Sequence, residues 1–213
     1  MPKIEGVYAL TPDVADTGAL LDVVARALDG GVRLVQYRAK NASAASKAEQ
    51  AYHLLALCRR HGAALIVNDD AMLAAQIGAD GVHLGRDDAS VADARRWLSR
   101  GAIIGVSCYD DLARARKLRA EGADYVAFGS FFASSVKPLA VRPVPALLAA
   151  ARRALDCPIV AIGGITLANA PGLIAAGADA LAVITDLFTA TDVRARAASF
   201  GQLFLRTPSF ANP

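Results

Sequence analysis

Three long polar side chains alternate in the run Gln36-Tyr37-Arg38-Ala39-Lys40, directly after an apolar segment. A β-strand sends successive side chains to opposite faces, so Gln36, Arg38 and Lys40 are expected to point the same way. Two cations and an amide would then face one spot and could hold a diphosphate. Arg38 and Lys40 could instead be solvated charges at a strand end, where most Lys and Arg lie. The alternating register favours the anion site.

Two carboxylates, Asp69 and Asp88, follow neighbouring apolar segments and could approach each other closely. Two carboxylates brought together repel unless a cation lies between them. Mg²⁺ is the natural candidate, because it prefers oxygen ligands and is commonly held by one or two carboxylates plus substrate phosphates. Helix capping by Asp69 or Asp70, and a solvated turn at Asp87 or Asp88, are the alternatives. The pair predicts Mg²⁺ as the cofactor.

A Gly163-Gly164 turn and the later pair Ile184-Thr185 indicate a second phosphate site. Backbone N–H groups in such turns and at helix N-termini bind phosphate. The longest predicted connection, residues 130–143, contains Ser134 and Lys137. Long connections in compact domains are usually functional lids or disordered segments, and we favour a lid that adds Lys137 as a third cation when it closes.

His83 lies near the end of another apolar segment, and its role is open. A lone histidine on a buried strand is often only a satisfied polar group, and the alternative is a contact with substrate. Two further histidines, His53 and His61, are interpreted as helix or core residues, as are Trp97 and the cysteines.

The elements that must position these residues are marked by a recurring phrase. Gly78-Ala79-Asp80, Gly122-Ala123-Asp124 and Gly177-Ala178-Asp179 each stand between a helical pattern and a short apolar run. Glycine commonly ends helices because it adopts positive φ without penalty, so each copy marks a helix end and a strand start. The apolar runs predict eight strands, at residues 6–10, 32–37, 63–67, 81–84, 102–106, 125–128, 159–162 and 180–184.

Short apolar strands that alternate with amphipathic helices are typical of a parallel sheet buried on both faces. Eight such units in about 200 residues predict an α/β fold, a single-domain (β/α)₈ TIM barrel, with an open doubly wound sheet as the alternative. We expect the barrel at residues 1–205 and a loose tail at 206–213. In a barrel the carboxyl ends of all strands meet at one mouth, which is where the polar residues above fall.

Composition narrows the partners. The formal charge is +3, from 23 Lys and Arg against 20 Asp and Glu, and no basic tract is present, so we expect small anionic substrates and no nucleic acid. The three cysteines are odd in number and have no metal-like spacing, which favours a reducing compartment. The longest uncharged run, residues 157–178, is broken by Pro and Gly, so we expect no membrane span and a soluble, cytoplasmic protein. A homo-oligomer stays open.

With these residues in place, the chain resembles the thiamine phosphate synthase family from about residue 7 to residue 188. The resemblance is specific because the order and spacing of several short stretches agree. They are Gln36-Tyr37-Arg38-Ala39-Lys40, Ile66-Val67-Asn68-Asp69-Asp70, Asp80-Gly81-Val82-His83-Leu84-Gly85 with Asp88, Gly105-Val106-Ser107, Phe128-Gly129-Ser130 through Lys137, and Ala161-Ile162-Gly163-Gly164-Ile165-Thr166.

The resemblance implies a transferase of thiamine biosynthesis with two small-molecule substrates, a pyrimidine diphosphate and a thiazole phosphate, that releases pyrophosphate with the help of Mg²⁺. By matching position, the pyrophosphate would be held by Gln36, Arg38, Lys40, Asn68 and Lys137, and the Mg²⁺ by Asp69 and Asp88. Ser107 would contact the pyrimidine diphosphate, and the thiazole phosphate would be bound by Gly164, Ile184 and Thr185. His83 and Ser134 complete the expected substrate-binding set.

Three positions depart from the family pattern. Val136 stands where Thr is usual, Arg86 where Gln is common, and Thr185 where Ser is usual. The alternatives are an isomerase like the thiazole tautomerase relatives, another phosphate-sugar barrel enzyme, and a sensor of phosphate ligands without catalysis. The isomerase should not need the full diphosphate set that this chain carries.

Overall fold

Eight parallel strands close into a barrel in chain order in the computed structural model, which describes residues 2–133 and 143–206. The strands are β1 Gly6–Leu10, β2 Leu34–Tyr37, β3 Ala64–Asn68, β4 Gly81–Leu84, β5 Ile103–Tyr109, β6 Tyr125–Gly129, β7 Ile159–Ile162 and β8 Ala180–Val183. The helices are α1 Thr17–Asp29, α2 Ala44–Arg60, α3 Ala71–Ile77, α4 Val91–Trp97, α5 Leu112–Ala120, α6 Ala146–Ala154, α7 Ala170–Ala175, α8 Thr185–Phe188 and α9 Val193–Arg206. The predicted barrel is confirmed, and the open sheet is wrong because β1 pairs with β8.

The predicted strand limits differ at a few ends. β5 continues to Tyr109 instead of ending at residue 106, because an irregularity between Ser107 and Tyr109 shifts its register with β6 without ending the pairing. β8 ends at Val183, since Ile184 leaves the extended conformation and precedes α8. Arg206, placed in the predicted tail, is the last residue of α9, and residues 207–213 lie outside the described part.

Side chains on the strands divide the core into two layers. Inward-facing residues, among them Tyr8, Ile66 and Tyr125, fill the barrel. Outward-facing residues such as Val35 and Leu65 pack against the helices, so both sheet faces are apolar and the strands read as unbroken hydrophobic runs. The three cysteines are free and buried, as expected for core residues. Within the described ranges, no helix is both long and apolar enough to cross a bilayer.

The recurring Gly-Ala-Asp phrase forms a clamp at the amino ends of the strands. The Oδ2 atoms of Asp80, Asp124 and Asp179 accept the backbone N–H groups of Leu65, Ile104 and Ile159, at 2.8, 2.7 and 2.7 Å. The glycine carbonyl of each phrase accepts an arginine from a preceding helix: Arg59, Arg95 and Arg152 in turn. Each clamp therefore joins a helix and two adjacent strands at the end of the barrel that lies away from the predicted site.

Candidate active site

The carboxyl ends of β2, β3 and β4 bring Lys40, Asp69 and Asp88 together. Lys40 Nζ lies 3.5 Å from Asp69 Oδ2, and the Asp69 carboxylate in turn reaches that of Asp88. Asp69 has a φ of 65°, and its backbone N–H donates to the carbonyl of His83 at 2.8 Å. Aspartate is among the few residues that tolerate this left-handed conformation. The bend turns the chain at the end of β3 and presents the carboxylate at the mouth.

Asp70, and not Asp69, forms the helix cap that the sequence offered as an alternative. Asp70 is the N-cap of α3, and its Oδ1 accepts the N–H of Leu73 at 2.8 Å. Asp69 makes no cap bond in the described structure, and its charge faces Lys40 and Asp88. Two adjacent aspartates therefore have different roles.

Asp88 is held in place by the turn that follows β4. Its Oδ2 accepts the N–H of Gly85 at 2.6 Å, and a Cβ at Gly85 would lie 2.9 Å from the same oxygen. Burial and the nearby Asp69 carboxylate raise the pKa of Asp88, although the bond from Gly85 and the charge of Lys40 oppose the shift. The close approach of two carboxylates leaves repulsion that a divalent cation would remove.

The donor set fits a hard cation that is shared with substrate. Among residues 2–133 and 143–206, no group of three or more His, Cys, Asp or Glu side chains is arranged to hold a metal. Two carboxylates suit Mg²⁺, which usually keeps waters and binds substrate phosphates at its other positions. Asp69 and Asp88 would hold it.

The cationic run after β2 is fixed through its backbone. Ladder pairing stops at Tyr37, but Thr11 Oγ1 accepts the N–H of Arg38 at 2.9 Å and donates to its carbonyl at 3.2 Å. Thr11 is fully buried, and its two bonds hold the Arg38 backbone after β2 has ended, so the strand predicted to carry Gln36, Arg38 and Lys40 in alternation stops at Tyr37. Gln50 of α2 supports the same region, since it accepts the Tyr37 hydroxyl at 2.8 Å and donates to the loop before α1. Arg38 thus extends from a held backbone, whereas Lys40 is placed by the contact of its side chain with Asp69.

A buried chain of hydrogen bonds crosses the barrel beneath the mouth. Gln36 Nε2 donates to the Tyr8 hydroxyl, and the Tyr8 and Tyr125 hydroxyls are bonded, both at 2.9 Å. The Tyr125 hydroxyl meets His83 Nδ1, and His83 Nε2 meets Ser107 Oγ, again at 2.9 Å. Sequence reasoning missed Tyr8 and Tyr125, because a tyrosine within an apolar strand looks like an ordinary core residue. Both ring nitrogens of His83 have partners, so it is a satisfied polar group, and its contact with substrate stays a prediction.

The glycine turn after β7 is shaped by close backbone contact. Gly163 and Gly164 have φ values of 106° and 61°, and a Cβ at Gly164 would lie 2.3 Å from the carbonyl oxygen of Ala133. Asn169 closes the turn by donating to the carbonyl of Gly164 at 3.0 Å and accepting the N–H of Thr166 at 2.8 Å. Only glycine fits at this contact, and backbone N–H groups at such a turn can receive a phosphate.

Other predicted residues lie around the same mouth or outside the described part. Asn68 ends β3 opposite His83, Ile184 lies between β8 and α8, and Thr185 is the first residue of α8. Arg86 places its guanidinium 4.7 Å above the ring of Tyr109, at the end of β5. Ser134, Val136 and Lys137 lie outside the described residues, so their roles stay predictions.

A cavity of about 380 Å³ opens at the opposite end of the barrel, but its charges are already paired. Its lining includes Asp124, Asp156 and Asp179, and each forms an ion pair with an arginine. The carboxylates of this cavity belong to the pairs that join helices to strands, whereas the residues predicted to do chemistry lie at the mouth, which is therefore the candidate active site.

Comparisons with known proteins identify the family that the sequence resembles. A family model described as thiamine monophosphate synthase matches residues 7–187. The chain is 54% identical to a thiamine-phosphate synthase of Azoarcus sp. (strain BH72), over 95% of this chain and 98% of the relative. It is 56% identical to a thiamine-phosphate synthase of Thiobacillus denitrificans, over 95% and 96%. Among solved structures, thiamine phosphate pyrophosphorylase from Pyrococcus furiosus has a TM-score of 0.84 at 31% identity, covering 95% of this chain and 96% of that one.

Proposed function

Since the chain belongs to the thiamine monophosphate synthase family of transferases, we propose that it makes thiamine phosphate. The substrates would be 4-amino-5-hydroxymethyl-2-methylpyrimidine diphosphate and 4-methyl-5-(2-hydroxyethyl)thiazole phosphate. The bond between the pyrimidine methylene carbon and the diphosphate oxygen breaks, and the thiazole nitrogen forms a new bond to that carbon. Pyrophosphate leaves with the electron pair of the broken bond.

The chemistry needs charge stabilisation more than proton transfer. In a dissociative reaction, the methylene carbon becomes cationic while negative charge grows on the diphosphate. A unit charge pair at about 4 Å contributes roughly 4 kcal/mol at an effective dielectric near 20. Cations that are fixed before the reaction can therefore lower the barrier substantially, because no reorganisation is needed as the charge develops.

Each side chain has a separate task in this scheme. Arg38, whose backbone is held by Thr11, and Lys40 would bind the departing diphosphate. Lys137 would add a third cation. Mg²⁺ held by Asp69 and Asp88 would neutralise phosphate charge.

Specific binding and exclusion of water would come from the rest of the mouth. Gln36, Asn68, His83, Ser107 and Ser134 would contact the pyrimidine diphosphate, and Gly164, Ile184 and Thr185 the thiazole phosphate. Water must be kept out because it would otherwise capture the carbocation.

The observation that carries this proposal is the cluster of Lys40, Asp69 and Asp88 at one edge of the mouth. An isomerase acting on a thiazole phosphate has no diphosphate to release and no need for this cluster. A sensor would bind the same ligands without turnover. The proposal requires neither nucleic acid nor a membrane, and a cytoplasmic location and homo-oligomer stay predictions.

A reconstituted reaction tests the proposal. The purified protein is incubated with both substrates, with Mg²⁺ or with excess EDTA, and thiamine phosphate and pyrophosphate are measured together. We expect equal amounts of both products with Mg²⁺ and neither with EDTA. Omission of the thiazole phosphate serves as the control for simple hydrolysis. Ligand binding without pyrophosphate release would support the sensor, and turnover of a thiazole phosphate alone would support the isomerase.

A further inference from the structure

The buried chain of Gln36, Tyr8, Tyr125, His83 and Ser107, here called the hydroxyl chain, links five strands by four hydrogen bonds. Every bond is 2.9 Å long. Tyr8 is 1% exposed and Tyr125 is fully buried, so no solvent competes for their hydroxyl groups. Ser107, at the far end, is partly exposed at the mouth. The chain therefore connects an enclosed amide with a hydroxyl that can reach a ligand.

The donors of the hydroxyl chain run in one direction. The Gln36 amide nitrogen can only donate, so the Tyr8 oxygen accepts from it. Either hydroxyl could donate in the Tyr8–Tyr125 bond, and the direction that gives the buried Tyr8 proton an acceptor is the one in which Tyr8 donates to Tyr125. Tyr125 then donates its own proton to His83 Nδ1. Burial raises the pKa of both tyrosines well above the ordinary value, so both phenols keep their protons at neutral pH.

His83 determines which atom donates a hydrogen bond to Ser107 at the mouth. When Nδ1 accepts a hydrogen bond it carries no proton, and the proton of the neutral ring is on Nε2. Nε2 then donates to Ser107 Oγ. The Ser107 proton is consequently available for a bond outside the hydroxyl chain.

We propose that the hydroxyl chain fixes His83 as the neutral tautomer protonated on Nε2, and that Ser107 consequently donates its hydroxyl proton to an acceptor atom of the pyrimidine diphosphate. The identity of that acceptor rests on the proposed function. Tyr8 and Tyr125 are positioning residues, because they act on the substrate only through His83 and Ser107.

Packing holds the central ring in the position that the hydroxyl chain needs. Gly105 faces Tyr125, and a Cβ there would lie 1.9 Å from the ring carbon Cζ and 2.3 Å from the hydroxyl oxygen. The rings of His83 and Tyr125 are stacked with centroids 5.6 Å apart, and the Tyr8 ring meets Tyr125 edge-on at 6.0 Å. The missing side chain at Gly105 makes room for the hydroxyl.

Nitrogen NMR of the ligand-free protein, labelled with ¹⁵N at histidine, tests the tautomer at pH 8. The chain has three histidines, and the signals are assigned with the variants His53→Gln and His61→Gln. We expect His83 to carry its proton on Nε2 and to accept a hydrogen bond at Nδ1. A proton on Nδ1, or on both nitrogens, would overturn the proposal.

Two conservative variants separate the hydroxyl chain from general loss of packing. Tyr125→Phe removes the hydroxyl that His83 accepts and should shift the Nδ1 signal and mix the tautomers. Tyr37→Phe removes a buried hydroxyl that bonds Gln50 instead, and it should leave the His83 signals unchanged. Equal effects of both variants, or no effect of Tyr125→Phe, would contradict the proposal. This measurement needs no substrate, so it decides the tautomer even if the proposed function fails.

Kinetics then tests the contact with substrate. One hydrogen bond of ordinary strength corresponds to about a tenfold change in affinity. We expect Tyr125→Phe to raise the KM of the pyrimidine diphosphate about tenfold and to leave the KM of the thiazole phosphate unchanged. Unchanged KM values for both substrates, or equal rises for both, would overturn the role in substrate binding.

Discussion

Of two adjacent aspartates, one should matter mainly for activity and the other mainly for stability when each is replaced singly. Asp69 faces Lys40 and Asp88, whereas Asp70 caps α3. The variant Asp69→Asn keeps the size of the side chain, and asparagine tolerates the φ of 65° at this position. The variant Asp70→Ala removes the cap. We expect Asp69→Asn to lose activity with little change in stability, and Asp70→Ala to do the reverse.

The structure sets the size of both effects. Loss of a helix N-cap costs about 1 kcal/mol, which lowers the Tm of a domain of this length by roughly 2–4 °C. The Lys40–Asp69 pair is largely exposed, with 51% and 39% of the two side chains accessible, so its loss should cost under about 1 kcal/mol. For a divalent ion at about 4 Å, one carboxylate charge contributes about 8 kcal/mol gross. If about a third survives competition with water, Mg²⁺ binding weakens roughly 100-fold.

The assay is pyrophosphate release at saturating substrates over a Mg²⁺ titration, with thermal melts of the same preparations. Asp69→Asn should need roughly 100-fold more Mg²⁺ for half-maximal rate, and Asp70→Ala should follow the parent titration after correction for folded protein. A normal Mg²⁺ requirement in Asp69→Asn, or its loss in Asp70→Ala instead, would refute the assignment.

Three further predictions concern Thr11, Asp88 and Lys137. Thr11→Val removes both bonds to the Arg38 backbone and should lower kcat/KM about 10-fold or more, while Thr11→Ser should restore it; equal rates for the two variants in steady-state assays would contradict this. Burial and Asp69 raise the pKa of Asp88, so the folded protein binds a proton there more tightly than the unfolded chain does. The contribution of Asp88 to stability therefore falls as the pH rises from the ordinary carboxyl pKa through the raised one. Asp88→Asn should therefore raise the Tm in EDTA at pH 7 and lose that advantage on acidification, and melts that show no gain at pH 7 would exclude the repulsion. Lys137→Ala should lower turnover by orders of magnitude without changing the Tm, and near-normal turnover at saturating substrate would remove Lys137 from the mechanism.

Much of the fold is predictable because its signals are local. The Gly-Ala-Asp phrases mark where helices end and strands begin, and the structure has a helix end and a strand start at each of them. The end of β5 is less predictable, because the register shift at Ser107 and Tyr109 depends on pairing with β6. Contacts between distant strands decide such details, and a single strand does not reveal them.

Prediction of the site also depends on whether the signal is local or comes from contacts between distant strands. Lys40, Asp69 and Asp88 are found from sequence because carboxyl ends of neighbouring strands must meet at the mouth. Tyr8 and Tyr125 are not found, since they lie 117 positions apart and only barrel closure brings their hydroxyls together. Gly105 is the available signal, because a glycine within an apolar strand suggests that a large group approaches closely.

The Gly-Ala-Asp clamps have a consequence for how this protein can change. Asp80, Asp124 and Asp179 hold the end of the barrel opposite the candidate active site, so these stabilising contacts and the proposed ligand-binding residues are spatially separate. Substitutions at the mouth leave all three Gly-Ala-Asp clamps intact. A laboratory selection for a different ligand can therefore begin with substitutions at the mouth, without first adding stabilising mutations at the clamped end.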